Sequence, residues 1–386
     1  MKILSIANIS NFDDINSDSG YIFNYLLANE FMKDKNKFAI VLPEGLSNVE
    51  KFKDCKIYYS NIGTTKYSSR FAFNWDSFVE IINDFNPDLI FLNQCELTAA
   101  IKALLISNKN SKTKILTYCH YPALHVDENS NSILDYSLNN EGLGETIVYN
   151  ILTAINVADI FVTQSEFAKR LLINYAQQHN IQLKKNIHII PPPLDPEFYV
   201  STFKECASEN NIVYNHRLYQ SYGTEFLSSL IESNQNKQFL VLDPMPNRAK
   251  NRVQFNNTPA EFVQSLKLIK NVSVFNGSES RLKYRDYLKA GDIAIACYRK
   301  ACVWSMAAVD CLCVGIPVVA PNFAAYPEFI PEYLRFNNLE EANIIIDRLI
   351  NDKDFYKMSI LESRKILDNL HPNKIYQRFK KLINGV

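Results

Sequence analysis

The chain is short of several things, and each shortage removes a class of function. Glycine is scarce, 10 in 386 residues, while 24 phenylalanines and 21 tyrosines are present. That is a globular balance with no disordered tail. Charge of either sign is not in excess: Lys+Arg and Asp+Glu stand at 41 each. This excludes a globally basic protein that coats nucleic acid and leaves a local basic groove open. No stretch reaches about 18 uninterrupted apolar residues, so no membrane-spanning helix is expected. The opening MKILSIANIS is one strand-length apolar run, without the long apolar core and small-residue cleavage site of a secretory signal, and a cytoplasmic protein is expected. The eight cysteines (Cys55, Cys95, Cys119, Cys206, Cys297, Cys302, Cys311 and Cys313) show no paired-ligand spacing. Cys311 and Cys313 are too close for a CxxC pair and no histidine pair accompanies them, so reduced core thiols are expected. Gly-x-Ser-x-Gly, His-Glu-x-x-His and phosphate-loop sequences are all missing. The one Asp-x-Asp, Asp352 and Asp354 in NDKDFYK, falls late in a charged stretch and reads as surface.

What is present is an alternation. Strand-like runs KILSIAN, KFAIVLP, PDLIFLN, KILTYCH, DIFVTQS and IHIIPPP are followed by a second series, NNIVYN, KQFLVLD, NVSVFNG, DIAIACY and PVVAPN. Amphipathic material between several of them predicts βαβ units and parallel sheets. The length exceeds one ordinary core, and the pattern restarts near residue 211. Three consecutive prolines fit neither a helix nor a central strand, so residues 191–206 read as an interdomain linker. HPNKIYQRFKKLINGV has helical periodicity behind a proline. The expected fold is α/β: two doubly wound, Rossmann-like parallel-sheet domains, 1–195 and 206–370, facing a cleft. A terminal helix over 371–386 would pack back on the first domain.

Three residues carry chemistry in that frame. Asp310 is a lone carboxylate among Ala307, Ala308, Val309, Cys311 and Leu312, ahead of a turn at Gly315. A buried carboxylate needs donors, and vicinal ribose hydroxyls would supply them. Arg217, after the first strand of the second series and near Gly223, suits a diphosphate. His120 ends a predicted strand of the first domain, where it would donate to a sugar hydroxyl or handle a proton. An exposed helix aspartate, a surface arginine and a core histidine are the plain alternatives.

Taken together these stretches resemble the retaining glycosyltransferases of GT-B architecture, the glycogen-synthase-like and mannosyltransferase-like group. VTQSEFAKRLL resembles that group's serine-started helix, IHIIPPPLDPEFY its strand-to-linker segment, NHRLYQSYG its glycine-arginine-leucine signature and VDCLCVGIPVVAP its Glu-x-x-x-x-Gly-x-Pro-Val-Val-Ala run. The resemblance spans nearly the whole chain in matching order. It implies that Asp310 contacts the donor ribose, Arg217 the diphosphate, and His120 the donor sugar and reaction centre, with His120 and Arg217 catalytic. Gly20, in NSDSGYIFNYLL, would let backbone approach the donor phosphates. Three departures stand out: Tyr222 replaces a lysine, Asp310 a glutamate, and Cys302 a sugar-reading glutamate, followed by Trp304 and Ser305. Donor binding is thereby expected at Gly20, Arg217, Tyr222, Asn276, Gly277, Cys302, Trp304, Ser305, Met306 and Asp310, with Asn276 and Gly277 placed toward the nucleobase. Candidate phosphate cations are Arg248, Lys250 and Arg252 in PNRAKNR, and Arg299 and Lys300 in CYRKAC.

The implied activity is retaining transfer of a sugar from a nucleoside diphosphate sugar, a UDP-sugar, to an acceptor hydroxyl. The architecture implies no metal and no other cofactor. YNHR and YPEFIPEYL resemble the branch that mannosylates queuosine in transfer RNA, which points to a hydroxyl-bearing modified base of DNA or tRNA as acceptor. A surface-glycan or lipid-linked transferase is the alternative. A catalytically decayed nucleotide-sugar-binding protein is the third, suggested by Cys302 and Tyr222.

Overall fold

The protein is described here by a computed structural model, covering residues 1–7, 9, 15, 18–46, 49–60, 70–71, 74–108, 110, 112–135, 142–243, 258–276 and 280–385. The chain folds as two compact units, Met1–Pro193 with Pro372–Val386, and Leu194–His371.

In the first unit, strands β1 (Lys2–Ile6), β2 (Lys37–Pro43), β3 (Lys56–Ser60), β4 (Leu89–Leu92) and β5 (Lys114–Cys119) join β8 (Ile160–Thr163) and β9 (Ile187–Ile189). Their order is β3-β2-β1-β4-β5-β8-β9, every pairing parallel. β4 and β8 are buried throughout, as runs covered by helices on both faces must be. Two short strands, β6 (Leu124–Val126) and β7 (Ser132–Leu134), form a separate antiparallel pair. The helices are α1 (Ser19–Lys33), α2 (Trp75–Phe85), α3 (Thr98–Ser107), α4 (Leu143–Val157) and α5 (Glu166–Gln178). Phe78, Ile81 and Ile82 of α2 and Ile101 and Leu104 of α3 pack with Leu4, Ile6, Ile90 and Leu92 of the sheet. Each such residue contributes about 1.5–3 kcal/mol through burial.

The second unit repeats the theme with α6 (Thr224–Ser233), α7 (Thr258–Lys267), α8 (Arg281–Lys289), α9 (Met306–Cys313), α10 (Leu339–Asn351) and α11 (Lys353–Leu367). Its sheet holds β10 (Asn211–Tyr214), β11 (Gln238–Asp243), β12 (Val272–Asn276), β13 (Ile293–Ile295), β14 (Val318–Pro321) and β15 (Arg335–Phe336). The order is β12-β11-β10-β13-β14-β15, again all parallel. Both sheets therefore have the doubly wound order in which the first strand lies between the second and the fourth to be laid down. The two α/β parallel-sheet units that the alternation predicts are present.

The last helix, α12 (Pro372–Asn384), belongs to the first unit. Tyr376 meets Phe31 edge-on at 5.0 Å, and Lys380 pairs with Asp34 at 2.7 Å, both on or beside α1. Of the stretch read as linker, residues 194–206 lie in the second unit. Leu194 donates its N–H to the Leu370 carbonyl at 2.9 Å, and Val200 to Cys313 at 3.1 Å. Asp292, fully buried before β13, accepts from Lys204 Nζ at 2.8 Å and from the N–H groups of Ser208, Glu209 and Asn211. Asp352 of the Asp-x-Asp caps α11, accepting from Phe355 N at 2.9 Å.

Candidate functional site

In a doubly wound sheet, ligands bind outside the carboxyl ends of the strands where the order reverses. In the second unit that point lies between β10 and β13, so the loops after these two strands define it.

The loop after β10 opens with Asn215, whose Nδ2 donates to Tyr284 Oη at 2.8 Å and to the Ala307 carbonyl at 2.9 Å. These bonds tie the loop to α8 and α9. His216 is next, buried, with no partner for its Nε2. Burial first, and then the charge of Arg299, lower its pKa to about 3, so the imidazole is neutral at physiological pH. Arg217 is half-buried and, among the described residues, has no hydrogen-bond or ion-pair partner. The loop ends at Gly223, with φ +78°, where a Cβ would stand 2.5 Å from Tyr298 Cβ. Only glycine permits both that conformation and that approach, which brings the loop against the one after β13.

The loop after β13 carries the other half. Arg299 Nη1 donates to Tyr222 Oη at 2.7 Å. Lys300 is exposed. Cys302 is buried with Cys297 and Tyr326; the Tyr326 hydroxyl donates to the Cys297 carbonyl at 3.0 Å. Burial pushes the Cys297 thiol up, whereas the hydrogen bond from Cys297 pulls the Cys302 thiol down. Trp304 lies against Phe329, ring centres 4.6 Å apart, and its buried indole N–H is unpartnered. Ser305 caps α9 by accepting from Ala308 N at 3.1 Å, and half-buried Met306 starts the helix.

Asp310 sits one turn further, buried, with no hydrogen-bond partner for Oδ1 among the described residues. Burial raises its pKa to about 7; Arg281 opposes the shift and Asp195 adds to it. Arg281 is committed elsewhere, bonding Asp195 at 2.7 and 3.0 Å. The contrast with Asp292 is instructive. There burial is outweighed by Lys204 and the backbone N–H groups, and the carboxyl is held below the usual range. One buried carboxylate is satisfied by the fold; the other has an oxygen with no donor among the described residues.

Of the remaining predicted residues, Arg248, Lys250, Arg252 and Gly277 lie outside the described residues, and Asn276 is described only as the last residue of β12. His120 and Gly20 belong to the first unit. His120 follows β5, its Nε2 bonded to Asn93 Oδ1 at 2.9 Å and its ring edge-on to Phe23. Asn93 and Ser5 both donate to Asn24 Oδ1, which makes a buried polar chain at the end of β1, β4 and β5. Gly20 does not offer its backbone to a phosphate. Asp18 caps α1, accepting from Gly20 N at 2.8 Å and Tyr21 N at 3.1 Å. A phosphate there would meet a carboxylate instead of a free N–H. His216 is the site residue that sequence reading passed over. Its only signal was its place beside Arg217.

No family model and no curated protein matches the chain. Solved structures do. Sucrose-phosphate synthase from Thermosynechococcus elongatus matches with TM-score 0.73 at 14% identity, over 100% of this chain and 98% of that one. Anabaena HepE, solved in complex with UDP-glucose, matches with TM-score 0.69 at 13% identity over 100% of both chains. The alpha,alpha-trehalose 6-phosphate synthase of Burkholderia multivorans follows with 0.66 at 12%, over 99% and 96%. The neighbours are GT-B glycosyltransferases, and at these identities the likeness is one of fold.

Proposed function

We propose that the chain transfers a sugar from a nucleoside diphosphate sugar, a UDP-sugar, to an acceptor hydroxyl with retention of anomeric configuration. The donor binds at the β10/β13 reversal of the second unit. The observation that carries this reading is Asp310, a buried carboxylate with an oxygen left unbonded beside the reversal. Two vicinal ribose hydroxyls supply the missing donors, and each charge-assisted bond is worth about 1.5–3 kcal/mol. Arg217, half-buried and unpaired among the described residues, stabilises the leaving diphosphate. Charge developing on a leaving group is where preorganised donors contribute most. His120, with its ring fixed by Asn93, is the second catalytic candidate and belongs to the first unit. No metal enters the proposal; cationic side chains carry the charge.

HepE was solved with UDP-glucose and with UDP, which supports testing UDP-sugars first. For the acceptor, the sequence favours a hydroxyl-bearing modified nucleic-acid base over a glycan or lipid-linked hydroxyl. Basic residues that could meet a polyanion lend this little support: Arg281 is paired with Asp195, Arg285 donates to the Glu197 carbonyl at 3.0 Å, and Lys185 donates to that of Ala158.

The experiment is a thermal-shift screen of nucleoside diphosphate sugars, because a ligand that binds the folded state raises its melting temperature. Incubation of the best donor with modified nucleic acid, glycan and lipid acceptors follows, with and without chelator. A stabilising UDP-sugar, transfer to one acceptor class and indifference to chelator are expected. No stabilisation by any nucleotide sugar overturns the reading, and activity lost to chelator and restored by magnesium overturns its metal-free part.

A further inference from the structure

The first unit carries a groove that the proposed transfer does not use. Its volume is about 610 Å³, and it lies between α5 and the segment 181–188 that leads into β9. Pockets for small organic ligands run to about 300–1,000 Å³. Helical spacing puts Lys169, Ile173 and Ala176 on one face of α5, and the three form one wall. The helix stops at Asn180, whose φ of +55° turns the chain, and Ile181 N donates back to the Ala176 carbonyl at 2.7 Å. The returning segment supplies the other wall, with Ile181, Leu183 and His188. Asn156 of α4 holds that segment, accepting from Lys184 N at 2.7 Å and donating to the Gln182 carbonyl at 3.0 Å. Walls bonded in place need little reordering to accept a ligand.

The lining decides what enters. It is apolar at Ile173, Ile181 and Leu183, and no aspartate or glutamate is among the described residues that form it. Lys169 and His188 are half-buried, and neither side chain has a hydrogen-bond or ion-pair partner among the described residues. Burial, and then the charge of Lys169, hold His188 below the usual imidazole range, so it is a neutral donor near pH 7. An ammonium beside a neutral imidazole, with no counter-ion, favours an anion that takes charge from one and an N–H from the other. A phosphate monoester brings about 1.5 to 2 negative charges and three acceptor oxygens, enough to meet both. The rim bears Gln177, Gln182 and Asn186, all exposed. Such a rim offers a bilayer no apolar surface to enter, which favours a soluble ligand over a lipid headgroup.

The groove is also apart from the catalytic candidate of its own unit. β9 runs parallel to β8 and β8 to β5, so the start of β9 lies at the end of the sheet opposite His120, which follows β5. We propose that this groove is a second ligand site, which takes a soluble phosphate monoester with an apolar body. The phosphate sits at Lys169 and His188, and the body lies on Ile173, Ile181 and Leu183. The site stands independently of the transfer reaction.

The test is calorimetric titration of phenyl phosphate, inorganic phosphate and phenol into the parent, Lys169→Gln, His188→Ala and Leu183→Ala. Thermal melts confirm that each is folded, and each titration is repeated with UDP in excess. Phenyl phosphate is expected to bind more tightly than inorganic phosphate, and phenol not to bind. Lys169→Gln weakens phenyl phosphate about ten- to hundredfold, and His188→Ala about three- to tenfold. Leu183→Ala weakens phenyl phosphate about three- to tenfold and leaves inorganic phosphate unchanged. UDP alters none of these affinities. A parent that does not bind phenyl phosphate, binding indifferent to Lys169→Gln and His188→Ala, or binding abolished by UDP overturns the inference. Sedimentation with phosphatidylcholine vesicles that contain phosphatidic acid, lost in Lys169→Gln while phenyl phosphate fails to bind, gives the groove to a lipid headgroup and overturns the soluble ligand.

Discussion

The two units share a strand order and differ at the first helix terminus. In each, the first strand is followed in sequence by a helix, α1 in one and α6 in the other. The start of α1 is filled by the Asp18 carboxylate, bonded to Gly20 N and Tyr21 N. The start of α6 is capped by a glycine and lies next to Arg217 and Tyr222, with Arg299 laid on the tyrosine ring. One terminus is capped by a carboxylate, and the other has no side-chain cap and lies near an arginine. The proposed function places the nucleotide in the second unit.

The largest expected effect breaks the comparison on its cationic side. Arg217→Ala should lower turnover about 100- to 1,000-fold, as for loss of a donor that meets charge in the transition state, while uridine affinity barely changes. Steady-state rates beside calorimetry check this. A rate within a few-fold of the parent removes Arg217 from the reaction.

Next come the two buried carboxylates. Asp292→Ala should cost about 3–5 kcal/mol of stability, because Lys204 and three backbone N–H groups lose their acceptor. Asp310→Asn should cost no stability, and near pH 7 should raise it by relieving the buried charge, yet weaken UDP and uridine alike by about 1–3 kcal/mol. Denaturant titration and calorimetry separate the two. A large stability loss in Asp310→Asn with unchanged uridine binding makes Asp310 structural.

Asp310 also sets a pH dependence. With the carboxyl raised to about 7 in the folded chain, it is protonated there and ionised in the unfolded chain between about pH 4 and 7. The folded state binds the extra proton, so this group's contribution to stability falls as pH rises through that window. Uridine affinity should run the opposite way and rise through about pH 7, because ribose hydroxyls bond the ionised form. Asp310→Asn should flatten both profiles. Affinity that does not change between pH 5.5 and 8 in the parent contradicts the role; His216, already neutral with its pKa near 3, contributes nothing in that range.

The smallest effect tests the filled terminus. Asp18→Ala should cost about 1 kcal/mol of stability through loss of a helix cap and leave UDP affinity unchanged. If UDP binding falls with Asp18→Ala, the first unit also takes part in holding the phosphates.

Much of this was legible in the sequence, for physical reasons. Continuous apolar runs marked the strands of both series, because parallel strands are buried on both faces. β3, with the half-exposed pattern of KIYYS, and the two-residue β15 carry no such run and were not read. Asp310 stood out because one carboxylate in an apolar helix has few explanations. Gly20 drew attention by type, although Asp18, two residues earlier and just ahead of an apolar run, was the stronger signal of a helix start. The Tyr222–Arg299 pair was illegible as a pair. Two residues 77 positions apart meet only because Gly223 lets one loop press on the other.

The central claim, that the donor binds at the β10/β13 reversal of the second unit, is tested most directly by hydrogen exchange with and without UDP. The account predicts slowed exchange of the backbone N–H groups over residues 216–226, where those at the start of α6 gain an acceptor. Residues 18–24, where Gly20 N and Tyr21 N are already bonded to Asp18, should exchange unchanged. Protection over 18–24 with none over 216–226 would contradict it.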